Sequence, residues 1–159
     1  MRRILTAATL SLLASPALAA GDPAKGENEF KKCRSCHMIE SDDGTAIQKG
    51  GKTGPNLYGV IGRPVAGTDF DYGESIKAVG ATGLIWTEEE LATYVANPAE
   101  WLKTKLDDPA AKSKMSFKLA KGGEDVAAYL ASVGPAPAAA TDASTEAPAA
   151  TAPANNVAP

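Results

Sequence analysis

One histidine, two cysteines and three methionines are all that this 159-residue sequence holds of soft or borderline metal ligands. A single histidine leaves no second imidazole for any site. Two cysteines and one histidine, with no second cluster, fall short of the four ligands of a closed structural zinc site. No segment approaches the roughly 20 consecutive apolar residues that would span a bilayer. Basic excess is missing too: setting aside Arg2 and Arg3, which belong to the leader described next, 16 − 2 leaves 14 basic residues against 19 acidic ones, a net charge of about −5. That balance gives no support to nucleic-acid binding.

The ends read as segments outside the fold. Arg2 and Arg3, the apolar run Ile4 to Leu13, Pro16 and Ala17-Leu18-Ala19 have the order of a secretory signal with a small-residue cleavage site. Residues 1–20 are therefore expected to be an export signal, and the mature chain to work in the periplasm. Residues 135–159 are almost wholly Ala, Pro, Thr and Asn with no aromatic residue. Such a composition cannot bury enough surface to offset its ordering entropy, so a disordered tail is expected. Residues 21–134 remain as one small domain.

Within that domain, helix signals dominate. Asp22-Pro23 supplies an N-cap and a first helical position, and the helix runs toward Cys33 with Phe30 on its apolar side. Thr87 with Glu90 three residues on forms a capping box ahead of Leu91, Tyr94 and Val95. Asn97-Pro98 stops that helix and restarts another, which carries Trp101 and Leu102. Val126, Tyr129, Leu130 and Val133 fall at i, i+3, i+4 and i+7, and Gly134-Pro135 closes the last helix. Between Met38 and Trp86 there is a possible short helix at Glu74 to Val79 and no convincing alternating strand. So long an irregular stretch fits a compact domain if it wraps something large and apolar that is not protein.

The stretch CRSCHM, Cys33 to Met38, contains both cysteines and the histidine. A disulfide there would close a tiny loop and restrain little. A thioredoxin-like dithiol needs a βαβ setting that the helices do not offer. The reading that uses every residue is covalent haem attachment. Cys33 and Cys36 each add to a vinyl group, and His37 binds the iron from one side. For the sixth ligand a methionine thioether is the leading protein candidate. Met38 follows His37 directly and cannot cross the ring. Met115, in the Lys-rich stretch KSKMSF, can.

CRSCHM, TGPNLYGVIGR (Thr53 to Arg63), the isolated Trp86, YVANPAEWL, KSKMSF and EDVAAYLASV together resemble the class I cytochromes c. They are most similar to the bacterial members called cytochrome c2 or cytochrome c-550. The resemblance implies an all-α fold in which the first and last helices cross, Gly26 and Phe30 meeting Val126, Tyr129 and Leu130. It implies further short helices and long loops around one haem c. In the family's pattern Pro55 offers its carbonyl to His37, while Arg63, Tyr72 and Trp86 serve the haem propionates. Tyr94 bonds near the methionine sulfur, and Ser113 stands beside the ligand loop. The implied function is that of a monomeric, soluble one-electron carrier and not an enzyme. Its expected donor is a cytochrome bc complex. The acceptor would be a photosynthetic reaction centre, a terminal oxidase or a periplasmic reductase. Docking would use Lys residues near the haem edge: Lys31, Lys32, Lys49, Lys52, Lys103, Lys105, Lys112, Lys114 and Lys118. A haem peroxidase or gas sensor would need an open iron and typically a distal His or Arg, and there is no spare His.

Overall fold

The computed structural model describes residues 21–135, so the expected signal at 1–20 and the tail from residue 136 onward lie outside the described residues. Five helices follow in chain order: α1 (Pro23–Phe30), α2 (Glu74–Ala81), α3 (Glu88–Ala96), α4 (Pro98–Leu106) and α5 (Gly123–Val133). The longest has 11 residues. Helices this short are marginal alone in water, so packing must hold them. Among the described residues, no helix is long and apolar enough to cross a membrane.

Local chemistry sets the ends as the sequence predicts. Asp22 Oδ1 accepts from the Ala24 and Lys25 amides, and Pro23 occupies the first turn of α1. Thr87 Oγ1 accepts from the Glu90 amide. Only half of the expected capping box forms, because the Glu90 carboxylate turns instead to Trp101 Nε1 at 2.9 Å and to Lys105. An indole N–H and an ammonium draw it away from the start of its own helix.

The crossing of α1 and α5 depends on Gly26. A Cβ there would sit 1.9 Å from the Asp125 carbonyl oxygen and 2.7 Å from Tyr129 Cβ, so only a bare Cα admits this approach. Phe30 packs against Tyr129 with ring centroids 5.8 Å apart, and Val126 and Leu130 are buried beside them. The Asp22 amide also donates to Asp125 Oδ1, tying the start of α1 to the start of α5. Helix α3 packs on α5, and α4 on α2 and α3.

One element was not expected from the sequence. Between Met38 and Trp86 a small antiparallel ribbon pairs β1 (Ile39–Glu40) with β2 (Ala46–Gln48). Strands of two and three residues are too short to display alternation. The ribbon is set by its turn, in which Asp43 Oδ1 accepts from Ser41 Oγ and the Thr45 amide, and Gly44 adopts φ +83°. Gln48 then donates to the Tyr129 hydroxyl, fastening the ribbon to the helix crossing. The remaining long segment runs back on itself: the Gly62 and Val65 amides donate to the Trp86 and Leu84 carbonyls, and the Trp86 amide to the Arg63 carbonyl.

Candidate haem site

Cys33 and His37 are presented by the turns that follow α1. The Cys36 and His37 amides both donate to the Cys33 carbonyl, so the motif coils into a short turn whose shape its own backbone dictates. The Gly50–Gly54 segment backs that turn at contact distance. The Gly51 amide donates to Arg34 O and the Gly54 amide to Cys36 O. A Cβ on Gly54 would lie 2.3 Å from His37 Cε1, and one on Gly50 would lie 1.8 Å from the His37 carbonyl oxygen.

His37 Nδ1 lies 2.9 Å from the Pro55 carbonyl oxygen. A carbonyl only accepts, so Nδ1 carries the proton and Nε2 keeps its lone pair. Burial lowers the imidazole's pKa, with the Pro55 bond opposing, and this favours the neutral ligating form. Cys33 is pushed up to about 11, chiefly by burial and secondarily by Glu29. Cys36 is lowered by a side-chain bond from Thr53 and another from Ser35. Both thiols are free.

These groups open onto a mostly apolar cavity of about 500 Å³, within the usual range for a cofactor site. Leu57, Val60, Leu91, Leu102 and Leu130 supply apolar walls, and Met115 lies on the lining. So do Pro55, Arg63, Tyr72, Trp86 and Tyr94, which are brought together from positions spread over 40 residues of sequence. Met38 is absent from this lining, and its carbonyl accepts from the Leu57 amide instead. An apolar hollow with two free thiols and one oriented imidazole at its edge fits a covalently held, flat, apolar macrocycle.

The supporting residues differ in how far they are already engaged. Arg63 donates to the Tyr58 and Asn56 carbonyls at 3.1 Å each, and burial lowers its pKa. Tyr72 shares a 2.6 Å bond with Thr68. The Tyr94 hydroxyl meets the Ser113 side chain, and burial raises its pKa. Trp86 stacks on Trp101 at 5.2 Å, and Tyr94 packs edge-on to both.

Met115 lies on a strap, residues 112–118, between two buried anchors, Ala111 and Leu119. The Leu119 amide donates to the Val95 carbonyl, and the Met115 amide to Ser113 Oγ.

Two groups escaped the sequence reading. Asn56 receives the Glu40 and Tyr58 amides and donates to the Glu40 carbonyl, joining ribbon to cavity wall. Asp71 holds Lys114 across the cavity mouth. The first lies inside a quoted motif, so its position was visible although its partners were not. The second had no signal, since its partner is 43 residues away.

The lysines expected at the rim divide as well. Lys32, Lys112 and Lys114 line the cavity. Lys103 and Lys105 are paired with Glu100 and Glu90, Lys32 with Glu29, and Lys114 with Asp71. Lys31 donates to Asn28. Lys49, Lys52, Lys112 and Lys118 form no ion pair among the described residues.

An all-α fold wrapped around such a cavity, with CxxCH at its edge, defines a class I cytochrome c carrying one covalently attached haem c. Comparison with known proteins narrows this. The chain is 64% identical over 137 residues to cytochrome c2 of Rhodobacter capsulatus, covering 84% of this chain and 98% of that protein. It is 53% identical over 134 residues to cytochrome c-550 of Paracoccus versutus, covering 82% and 86%. The solved structure of the Rhodobacter capsulatus protein superposes with a TM-score of 0.70, over 71% of this chain and 98% of that one. Ferric cytochrome c-550 from Paracoccus versutus gives 0.71 at 52% identity, over 72% and 99%. No protein-family model matches the chain. The chain belongs to the cytochrome c2/c-550 family of electron carriers and is not an enzyme.

Proposed function

We propose that His37 and Met115 are the two axial ligands, that Cys33 and Cys36 form the thioether links, and that the protein shuttles single electrons in the periplasm after loss of residues 1–20. The observation that carries this reading is the Pro55-oriented imidazole opening, with Met115, onto one apolar cavity. When bound, the haem supplies the redox chemistry, and the chain supplies its setting. Pro55 fixes the tautomer and ring orientation of His37. The apolar walls exclude water, and a thioether on the iron favours the ferrous form, so both raise the potential. In this reading Arg63, Tyr72 and Trp86, which line the same cavity, would hold the propionates, and Tyr94 with Ser113 would support the methionine strap.

The donor in this reading is a cytochrome bc complex, and the acceptor a photosynthetic reaction centre, a terminal oxidase or a periplasmic reductase. Lys112, which lines the cavity, and Lys118, further along the same strap, form no ion pair among the described residues and steer such encounters. The residues 21–134 form the redox unit, and the tail takes no part in it.

The ferric visible spectrum tests the ligation. The weak long-wavelength band of thioether-ligated iron should be present, and Met115→Ala should abolish it and lower the midpoint potential. A band that survives the substitution would remove Met115 from the site. Oxidation by a purified acceptor should slow as salt is added, and a rate indifferent to salt would remove the steering role.

A further inference from the structure

Among the described residues, the strap that carries Met115 makes no backbone–backbone hydrogen bond between its two anchors; beside the Ser113 to Tyr94 contact, it is held by residues of one distant segment. Lys114 Nζ donates to both the Asp71 carbonyl oxygen and Asp71 Oδ2, each at 2.9 Å. The Lys112 amide donates to Ser75 Oγ at 3.0 Å. The stem of Lys114 lies over Gly73, where a Cβ would come within 3.3 Å of its Cγ. Two ties therefore run from residues 71–75 to positions three before and one before Met115.

We propose that Asp71 and Ser75 are positioning residues that hold the Met115 strap closed over the cavity, acting through Lys114 and the Lys112 amide. The proposal rests on Met115 being the sixth ligand. Asp71 lines the cavity but is not one of the groups assigned to ligate the iron. It acts by reducing how often the strap lifts, and so how often another ligand can reach the position that Met115 occupies. An ion pair this exposed is weak. It matters here because it bridges two loops, at a point where the strap has no backbone support of its own.

Imidazole binding to the ferric holoprotein reads the open fraction of the strap, since imidazole enters only when the methionine leaves. At low salt Asp71→Ala should bind imidazole about threefold more tightly than the wild type, the size expected for an exposed pair. That difference should narrow as salt screens the pair. Ser75→Ala should give about a twofold gain that salt does not alter, because a neutral hydrogen bond is lost. Lys118→Ala changes charge on the same strap without breaking either tie and should bind as the wild type does. Wild-type affinity in Asp71→Ala at low salt overturns the proposal, as does an equal gain in Lys118→Ala, which would make the effect one of general charge. If the wild-type ferric protein lacks the thioether band, the ligation reading itself has failed. A band present with unchanged imidazole affinity sinks only the positioning role.

Discussion

The two sides of the cavity are built by different means. On the histidine side the chain is continuous and self-determined. Cys33, Cys36 and His37 share one turn, its amides bond within five residues, and Gly50, Gly51 and Gly54 press a second stretch of backbone against it. On the methionine side the strap is anchored at Ala111 and Leu119. It is steadied between them by the Ser113 to Tyr94 contact and by the Lys114 and Lys112 ties to residues 71–75. Backbone bonds backed by close contact resist opening as a unit, whereas side-chain ties at the surface can break one at a time. Under the proposed ligation, the contrast suits a carrier in which His37 is permanently seated and Met115 is held by its loop.

The largest break should come from adding one methyl group on the histidine side. Gly54→Ala places its Cβ within 2.8 Å of three ring atoms of His37, so the ring or the Gly51–Pro55 backbone must shift. We expect about 3 kcal/mol of destabilisation, the upper part of the overpacking range. Guanidinium unfolding of the ferric holoprotein should show it as one cooperative transition moved to lower denaturant. A stability equal to the wild type would mean that the contact is slack. Leu119→Ala probes the other side by thinning an anchor of the strap. Its cost should be about 2 kcal/mol, the low end for a buried Leu, because a strap end can settle into the space. If the comparison holds, loss of the thioether band should precede global unfolding in Leu119→Ala but coincide with it in Gly54→Ala.

The same division decides what the sequence could reveal. The histidine side is local, so CRSCHM and its single imidazole disclosed it directly, and the residues 53–63 motif came with it. Met115 was reached by elimination, because Met1 falls in the signal and Met38 adjoins His37. The helix ends were legible from Asp22-Pro23, Thr87 and Asn97-Pro98, since caps depend on neighbours in sequence. The ribbon at Ile39–Glu40 and Ala46–Gln48 was not, because its strands are shorter than one period of alternation that could be recognised. Nor was the Asp71 to Lys114 tie, or the turning of Glu90 from its own helix to Trp101. Both pair residues that only the folded chain brings together.

Glu90 gives the smallest of these effects and the most specific. Behind the methionine side, Trp101 stacks on the cavity residue Trp86, and the Glu90 carboxylate holds the Trp101 indole N–H while pairing with Lys105. Partial burial alone would raise the carboxyl's pKa, but the bonds from Lys105 and Trp101 outweigh it and the net shift is downward. A carboxyl lowered on folding adds stability that is complete above its unfolded value, 4.5, and is lost as pH falls through its lower folded value. Because the pair is partly solvated, the whole contribution should stay below about 1 kcal/mol. Glu90→Gln keeps a carbonyl oxygen for the indole and removes the titration. Its stability should fall short of the wild type by that small amount at pH 7, and the gap should close as pH falls below 4.5 through the lower folded value, as followed by thermal unfolding monitored at the tryptophans. A constant gap across that range would assign the loss to packing instead of charge, and would leave the indole contact as the only reason this glutamate faces away from its helix.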